Sequence, residues 1–509
     1  MPLDRDSNAE EKITDRKMIA VMLCSFFVRE FLATIVPLGN DEVYYWDWGR
    51  DLRLSYFDHP PGVSWLSAGA QSIFSPVWGG LHARGLVPVV HLLTSVCLFM
   101  AYRIISGGRR NRISDLAFLC LTQVIPAFAI GGFLLVPDAG LLLAASAGLL
   151  LALRLGKRNT GLTVIDGVTM GVVAGLGGLF KYHAAPIFGG LLLGLAINRS
   201  SRLTRELPFW FTLVMTGLVV TLPVWIWNAR NGMASFAFQA SRGISGAHFD
   251  LPRAMRTMAG EFIFLTPGFF GLLLFTIVTL WRHRRRNNER TVLLATVPLL
   301  LLIHVTMTYK EVLPHWGLPA FWLLIPDAAT IAGQRWRNSK LRINMITAAC
   351  VSSLVIGIVG IAVIRQKAID LSGGKPGALG ELTFWPDFGG SSQWRSIQEQ
   401  AKAALVQQKP PHCPENPVLA SFRWFTVAHM AWSLAGNPVV RSFEGGSRYY
   451  YHDRDRTTDQ TGCPVIAIGE KAHANPDMIR SRMIVSASGE ITDGKYVDRP
   501  LSWWTGYLK

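Results

Sequence analysis

Five acidic residues, Asp41, Glu42, Asp47, Asp51 and Asp58, crowd into the stretch "NDEVYYWDWGRDLRLSYFDHPP" among aromatic side chains, and His59 with two prolines closes the group. A carboxylate in such a cluster can take a proton from a hydroxyl nucleophile. Polar and cationic residues in the same class of loop follow further along. They are Arg84, Asp138 in "VPDAG", Lys181 and His183 in "KYHAA", and Lys310, Glu311 and His315 in "TYKEVLPHW". Cations of this kind grip phosphate through charge-assisted hydrogen bonds. Each residue also has an ordinary reading. A loop acid is usually solvated, and Asp138 near a helix start is favoured by the helix dipole. Lys181 and His183 can snorkel at an interface, and Trp316 can sit at headgroup depth. The meaning lies in their co-location, which the elements around them must supply.

Those elements are apolar. Of 509 residues, 50% are hydrophobic and 17% charged, with a net charge of +16 and a mean hydropathy of +0.28. The apolar residues come in runs of roughly 17–25, the length a helix needs to cross a bilayer. The sequence predicts a polytopic α-helical membrane protein with about eleven spans, near 18–38, 86–105, 114–133, 138–154, 163–180, 183–198, 208–227, 259–281, 291–308, 317–333 and 342–364. The first run is too long for a signal peptide and lacks a small-residue cleavage site, so it reads as a retained span. Its Arg29 and Glu30 read either as an intramembrane functional pair or as residues facing the bundle interior.

The connections alternate in character. One class is basic: the arm 1–17 with Lys12, Arg16 and Lys17, "GGRRNR", "LGKRN", "NRSSRLTRE", "RHRRRNNER" and "QRWRNSKLR". The positive-inside rule makes this class cytoplasmic, which explains the basic balance without nucleic acid. The other class, with the first outer loop 38–85 and every candidate above, then faces outward. The sequence thus divides into a cytoplasmic arm (1–17), a transmembrane domain (18–364) and an extracytoplasmic tail (365–509) with the mixed composition of a soluble α/β module. In that tail "PVIAIGE" and "RMIVSAS" read as strands and "SSQWRSIQEQAKAALVQQ" as an amphipathic helix. Cys24, Cys97, Cys120 and Cys350 fall in spans, whereas Cys413 and Cys463 fall in the tail, where an oxidising compartment permits a disulfide.

Taken in order, "NDEVYYWDW…YFDHPPGVSWL", "VPDAGLLL", "KYHAA", "WNARNGMASFAFQ" and "LPHWGLPA" resemble the bacterial glycosyltransferases of families 39 and 83. That group includes protein O-mannosyltransferases, the lipid A aminoarabinose transferase and rhizobial galacturonosyltransferases of lipopolysaccharide. The resemblance implies a GT-C-type bundle in the bacterial inner membrane that takes its sugar from a polyprenyl phosphate. The implied acceptor is lipid A or lipopolysaccharide, another cell-envelope glycan, or a protein. It places Asp41, with Glu42 beside it, at the catalytic centre and matches Asp58 to the second acidic position. His59 stands where the aminoarabinose transferase has a lysine on the carrier phosphate. That departure leaves the phosphate clamp to His59 itself or to Lys181, Arg84 or Lys310.

For a hydroxyl acceptor, Asp41 would act as general base in an inverting displacement, whereas for a phosphate acceptor it would only position. A phosphate leaving group needs charge stabilisation more than protonation. A divalent metal on Asp41, Glu42 or Asp58 is compatible with the loop, though the spacing defines no site; no other cofactor is implied. The rivals are a transporter or flippase and a polymerase of lipid-linked oligosaccharides. A transporter is expected to show an internal repeat or Gly/Pro-broken helices in matching halves, and the sequence shows no such repeat.

Overall fold

The computed structural model describes residues 13–36, 38–244, 248–335, 351, 410–413, 417–422, 424–433, 440–443, 460–470, 475–491 and 501–509. Among the described residues, five helices are long and apolar enough to cross a membrane: Asp15–Ile35, Val87–Ser106, Asp138–Lys157, Ser200–Arg230 and Asn287–Tyr309. Shorter apolar helices run over Val164–Phe180 and Ala184–Asn198, and Leu318–Arg335 adds another. The expected span 342–364, Cys350 and the expected amphipathic helix in the tail lie outside the described residues.

Two expected spans are not single straight helices. Residues 114–133 form Arg112–Gln123 and Pro126–Gly131, because Pro126 cannot donate a helical hydrogen bond. Arg29 serves this break: its guanidinium donates to Gln123 Oε1 at 2.9 Å and to the carbonyls of Gln123 and Phe128. Arg29 therefore faces the bundle interior. The span expected over 259–281 is a pair, Leu251–Leu265 and Pro267–Arg282, bent by 103°. Thr266 takes φ 58° at the corner, a left-handed backbone that β-branched residues rarely adopt.

Close helix contacts rest on small residues. Gly167, Gly171 and Gly175 recur every four positions along Val164–Phe180, and a Cβ on any of them would collide with the Ser200–Arg230 segment, at Phe209, Leu213 or Val220. This is the small-residue stripe that membrane helices use to approach one another.

By its contacts the chain separates into two compact units. One comprises the described residues of 1–34, 59–63 and 84–360, and the other those of 35–58, 64–83 and 361–509. Within the first, the basic connections are tied together at one end. Asp15 pairs with Arg110 at 2.7 Å, Lys157 donates to Ile104 O, Asn111 donates to Gly333 O, and Arg199 reaches the carbonyls of Arg158 and Thr160. These basic connections therefore share one end of the first unit.

Residues 38–85 are helical over Asn40–Arg50, in the second unit, and over Gly62–Ile73, whose residues from Ser64 on belong to it. The tail supplies a five-stranded sheet: β1 (Val418–Ser421), β2 (Val440–Ser442), β3 (Pro464–Glu470), β4 (Met483–Ile491) and β5 (Leu501–Leu508). Its order is β2-β1-β3-β5-β4, with β1 parallel to β2 and β3, and β5 antiparallel to β3 and β4. "PVIAIGE" is β3, its Val465, Ile466, Ala467 and Ile468 all buried. Cys413 and Cys463 form a disulfide across a separation of 50 residues. On chain-entropy grounds a loop of that length contributes about 4 kcal/mol. Replacing Cys413 by Ser is expected to lower the denaturation midpoint of the tail sheet while the helices melt as before, followed by circular dichroism during titration with denaturant.

Candidate active site

The acidic loop sorts its carboxylates by the partners that the fold gives them. Glu42, at the third position of the Asn40–Arg50 helix, is buried, and its Oε2 accepts from the Gly39 N–H at 2.9 Å. It caps its own helix, an orphan-donor role. Asp47 pairs with Arg50 at 3.0 Å and Asp51 with Arg53 at 2.8 Å. Asp41, one position before Glu42, points outward and is exposed in the first turn of the same helix. Asp58 is buried near the end of the loop, 5% exposed. The rings between them build a wall: Tyr56 stacks on Trp48 with centroids 4.0 Å apart, and its hydroxyl donates to the Trp48 and Asp51 carbonyls. Burial pushes the Tyr56 phenol up to about 12. Among the described residues Asp41, Glu42 and Asp58 do not converge as a three-ligand metal cluster. The grouping that does converge, His412 with Cys413 and Cys463, has both sulfurs in the disulfide.

The cationic candidates lie in the other unit. Helix Val164–Phe180 ends at Lys181, whose N–H closes the last turn onto Gly177 O. Helix Asp138–Lys157 begins at Asp138. A cation at one helix C-terminus and an anion at another N-terminus each complement a dipole. Lys181 Nζ contacts both Asp138 oxygens, at 2.8 and 2.7 Å, with the lysine only 5% exposed. His183 precedes helix Ala184–Asn198, and its ring lies 6.0 Å from that of Trp316 in the Pro314–Gly317 turn. Arg242, on the Ala234–Ile244 helix, sets its guanidinium 5.0 Å from the Trp316 centroid. His315, directly before Trp316, has its imidazole pushed down to about 4 by burial first and by the Lys181 cation second. It is neutral at pH 7 and offers one N–H.

Helix Asp138–Lys157 ends at Lys157, among the basic connections, so the Lys181 cluster stands at the opposite end of the bundle, about 30 Å away by helix length. The remaining candidates sit as follows. Arg84 is fully buried, donates to Ala33 O and lies over Phe133. Lys310 caps helix Asn287–Tyr309, and His59 is half-buried. Asn228 of "WNARNGM" accepts from the Ser235 and Phe236 N–H groups and so opens the helix that carries Arg242. Arg242 was not singled out from the sequence. Its only signal there is the four-residue spacing from Phe238, over which its guanidinium also lies.

Acidification tests the His315 environment. Its folded value lies below the ordinary 6.5, so between those values the unfolded chain binds a proton that the folded chain does not. Stability from this group is complete above pH 6.5 and declines as the pH falls towards 4. A His315→Gln chain is expected to lose less thermal stability than the wild type between pH 7 and pH 4.5, measured by differential scanning fluorimetry.

The described residues combine five helices long and apolar enough to cross a membrane with a strand-containing C-terminal module. The family model for dolichyl-phosphate-mannose-protein mannosyltransferases matches residues 58–227. Lipid A galacturonosyltransferase RgtD of Rhizobium johnstonii is 24% identical over 290 residues, which cover 55% of this chain and 58% of RgtD. The match thus spans little more than half of that relative's length. The crystal structure of ArnT from Cupriavidus metallidurans in the apo state superposes with a TM-score of 0.59 at 15% identity, covering 96% of this chain and 97% of that one. The same protein bound to undecaprenyl phosphate gives 0.59 at 16% identity, with the same coverage. The group that the five motifs resemble is the group these comparisons return.

Proposed function

We propose that this chain is a glycosyltransferase that moves a sugar from a polyprenyl-phosphate donor to lipid A or lipopolysaccharide on the periplasmic side of the membrane. The observation that carries this reading is the convergence of Lys181, Arg242 and two histidines about Asp138, in a fold that ArnT shares and uses to bind undecaprenyl phosphate. Lys181 and Arg242 supply the positive charge that a leaving phosphate requires, and neutral His315 donates a hydrogen bond beside them. Asp41 takes the proton of an acceptor hydroxyl, so the sugar carbon is displaced with inversion and the polyprenyl phosphate departs as the anion. His183 and Asp138 orient the cations, and Asp58 lines the acidic loop. The N-terminal arm is cytoplasmic and the C-terminal module periplasmic.

The family name of the matching region supports a second acceptor, a protein hydroxyl, handled by the same chemistry. Mass spectrometry of lipid A, lipopolysaccharide core and periplasmic glycoproteins from a deletion strain and its parent separates the two. The proposal expects one sugar to disappear from the glycolipid and return with the wild-type gene. Loss confined to proteins selects the second acceptor, and unchanged profiles in all three fractions overturn both.

A further inference from the structure

The exposed acid Asp41 follows a residue that the C-terminal module holds. Asn40 opens the acidic helix and is 8% exposed, and its Oδ1 accepts from Nε2 of His429 at 3.0 Å. His429 is 5% exposed and lies 389 residues away in sequence, on the Trp424–Ser433 helix of the tail. That helix connects β1 to β2, with Val427, Ala428, Met430 and Ala431 buried. It packs against β1 and β2 of the sheet. Two aromatic contacts reinforce the junction within this unit. Tyr44 lies 4.9 Å from Trp424, and Trp46 meets Trp432 edge-on at 4.9 Å. His82 joins the second pair at 6.2 Å from Trp432. Burial pushes the His429 imidazole down to about 3, so it is neutral and can donate through Nε2 in a fixed tautomer.

We propose that His429 is a positioning residue for the transfer reaction: through Asn40 it fixes the first turn of the acidic helix and thereby the direction of the Asp41 carboxylate. The C-terminal module is then part of the catalytic apparatus. Rings at both ends of the contact resist sliding, while the His429–Asn40 bond sets rotation and register, because an apolar interface alone tolerates small slips. This proposal rests on the reading of Asp41 as general base. A displacement of the base by about 1 Å is enough to cost on the order of 100-fold in rate.

The test uses the full-length chain in proteoliposomes, supplied with a membrane lipid extract as donor and acceptor source. His429→Leu is expected to lower kcat about 10–100-fold with KM for donor within twofold. His429→Gln, which keeps an N–H at that reach, is expected to recover most of the rate. In an Asp41→Asn background, His429→Leu should have no further effect. The proposal is overturned by unchanged kcat in His429→Leu, by a loss that His429→Gln does not rescue, or by a loss that multiplies with Asp41→Asn. If His429→Leu does not fold, Asn40→Ala breaks the same bond from the other side; the same fall in kcat is expected, and unchanged kcat overturns the proposal. Full activity of Asp41→Asn alone would instead sink the general-base reading, independently of the His429 variants.

Discussion

Asp41→Asn is expected to reduce sugar transfer by about 10²–10⁴-fold, the range that a general base commands, while membrane insertion and melting temperature stay at wild-type values. Asparagine keeps the shape and the favourable position in the first helical turn but cannot accept the proton. Because Asp41 is exposed, its replacement leaves no buried charge behind. The neighbouring acids give the contrast. Asp51→Asn removes a partly exposed pair with Arg53 and should change little, since such pairs contribute about 0–1 kcal/mol. Glu42→Ala removes the acceptor of the Gly39 N–H and should cost about 1 kcal/mol of stability, as lost caps do. Transfer assays and thermal melts on the three variants separate chemistry from capping.

Lys181→Met is expected to bring the second large loss, at least about 100-fold in transfer, because it deletes the buried cation that the proposed mechanism sets against the donor phosphate. It should also lower stability, since Asp138 would keep its charge without its partner. Breaking a buried pair from one side costs about 3–5 kcal/mol, and the partial exposure of Asp138 places this pair at the lower end. The double variant Lys181→Met with Asp138→Asn distinguishes the two effects. It should regain the melting temperature of the wild type and remain inactive. Recovery of transfer along with stability would show that the lysine only holds the helices together.

Much of this architecture is written in the sequence at the level of hydrophobic length. The apolar runs locate the helices because a bilayer demands about 20 residues of each, and the basic clusters mark one end because lipid leaves them no other place. The bend at Thr266 was not legible. It needs φ 58° at a threonine, which no composition rule announces, and the apolar pattern runs straight through it. The helices within 38–85 were also hidden, because an acidic, aromatic segment carries no clean 3.6-residue stripe when both of its faces are buried.

The candidate site was legible in part for a similar reason. Short motifs at the ends of spans are forced to the membrane surface, so Asp138, Lys181, His183 and His315 could be grouped by parity alone. Division of labour among the acids could not. Glu42 is buried and caps its helix while Asp41 is exposed, a difference set by one position in a helical turn. Arg242 escaped because its partner Trp316 is distant in sequence. The same holds for His429, whose partner Asn40 lies 389 residues away.

The central claim is that the chain discharges a polyprenyl-phosphate sugar. The most direct measurement follows polyprenyl lipids by liquid chromatography and mass spectrometry in proteoliposomes containing the purified chain and an extract of native membrane lipids. Wild-type protein is predicted to convert sugar-loaded polyprenyl phosphate to the bare phosphate, with an equal gain of one sugar on a glycolipid, and Lys181→Met is predicted to do neither. Sugar-loaded carrier that persists unchanged with folded wild-type protein would contradict the account.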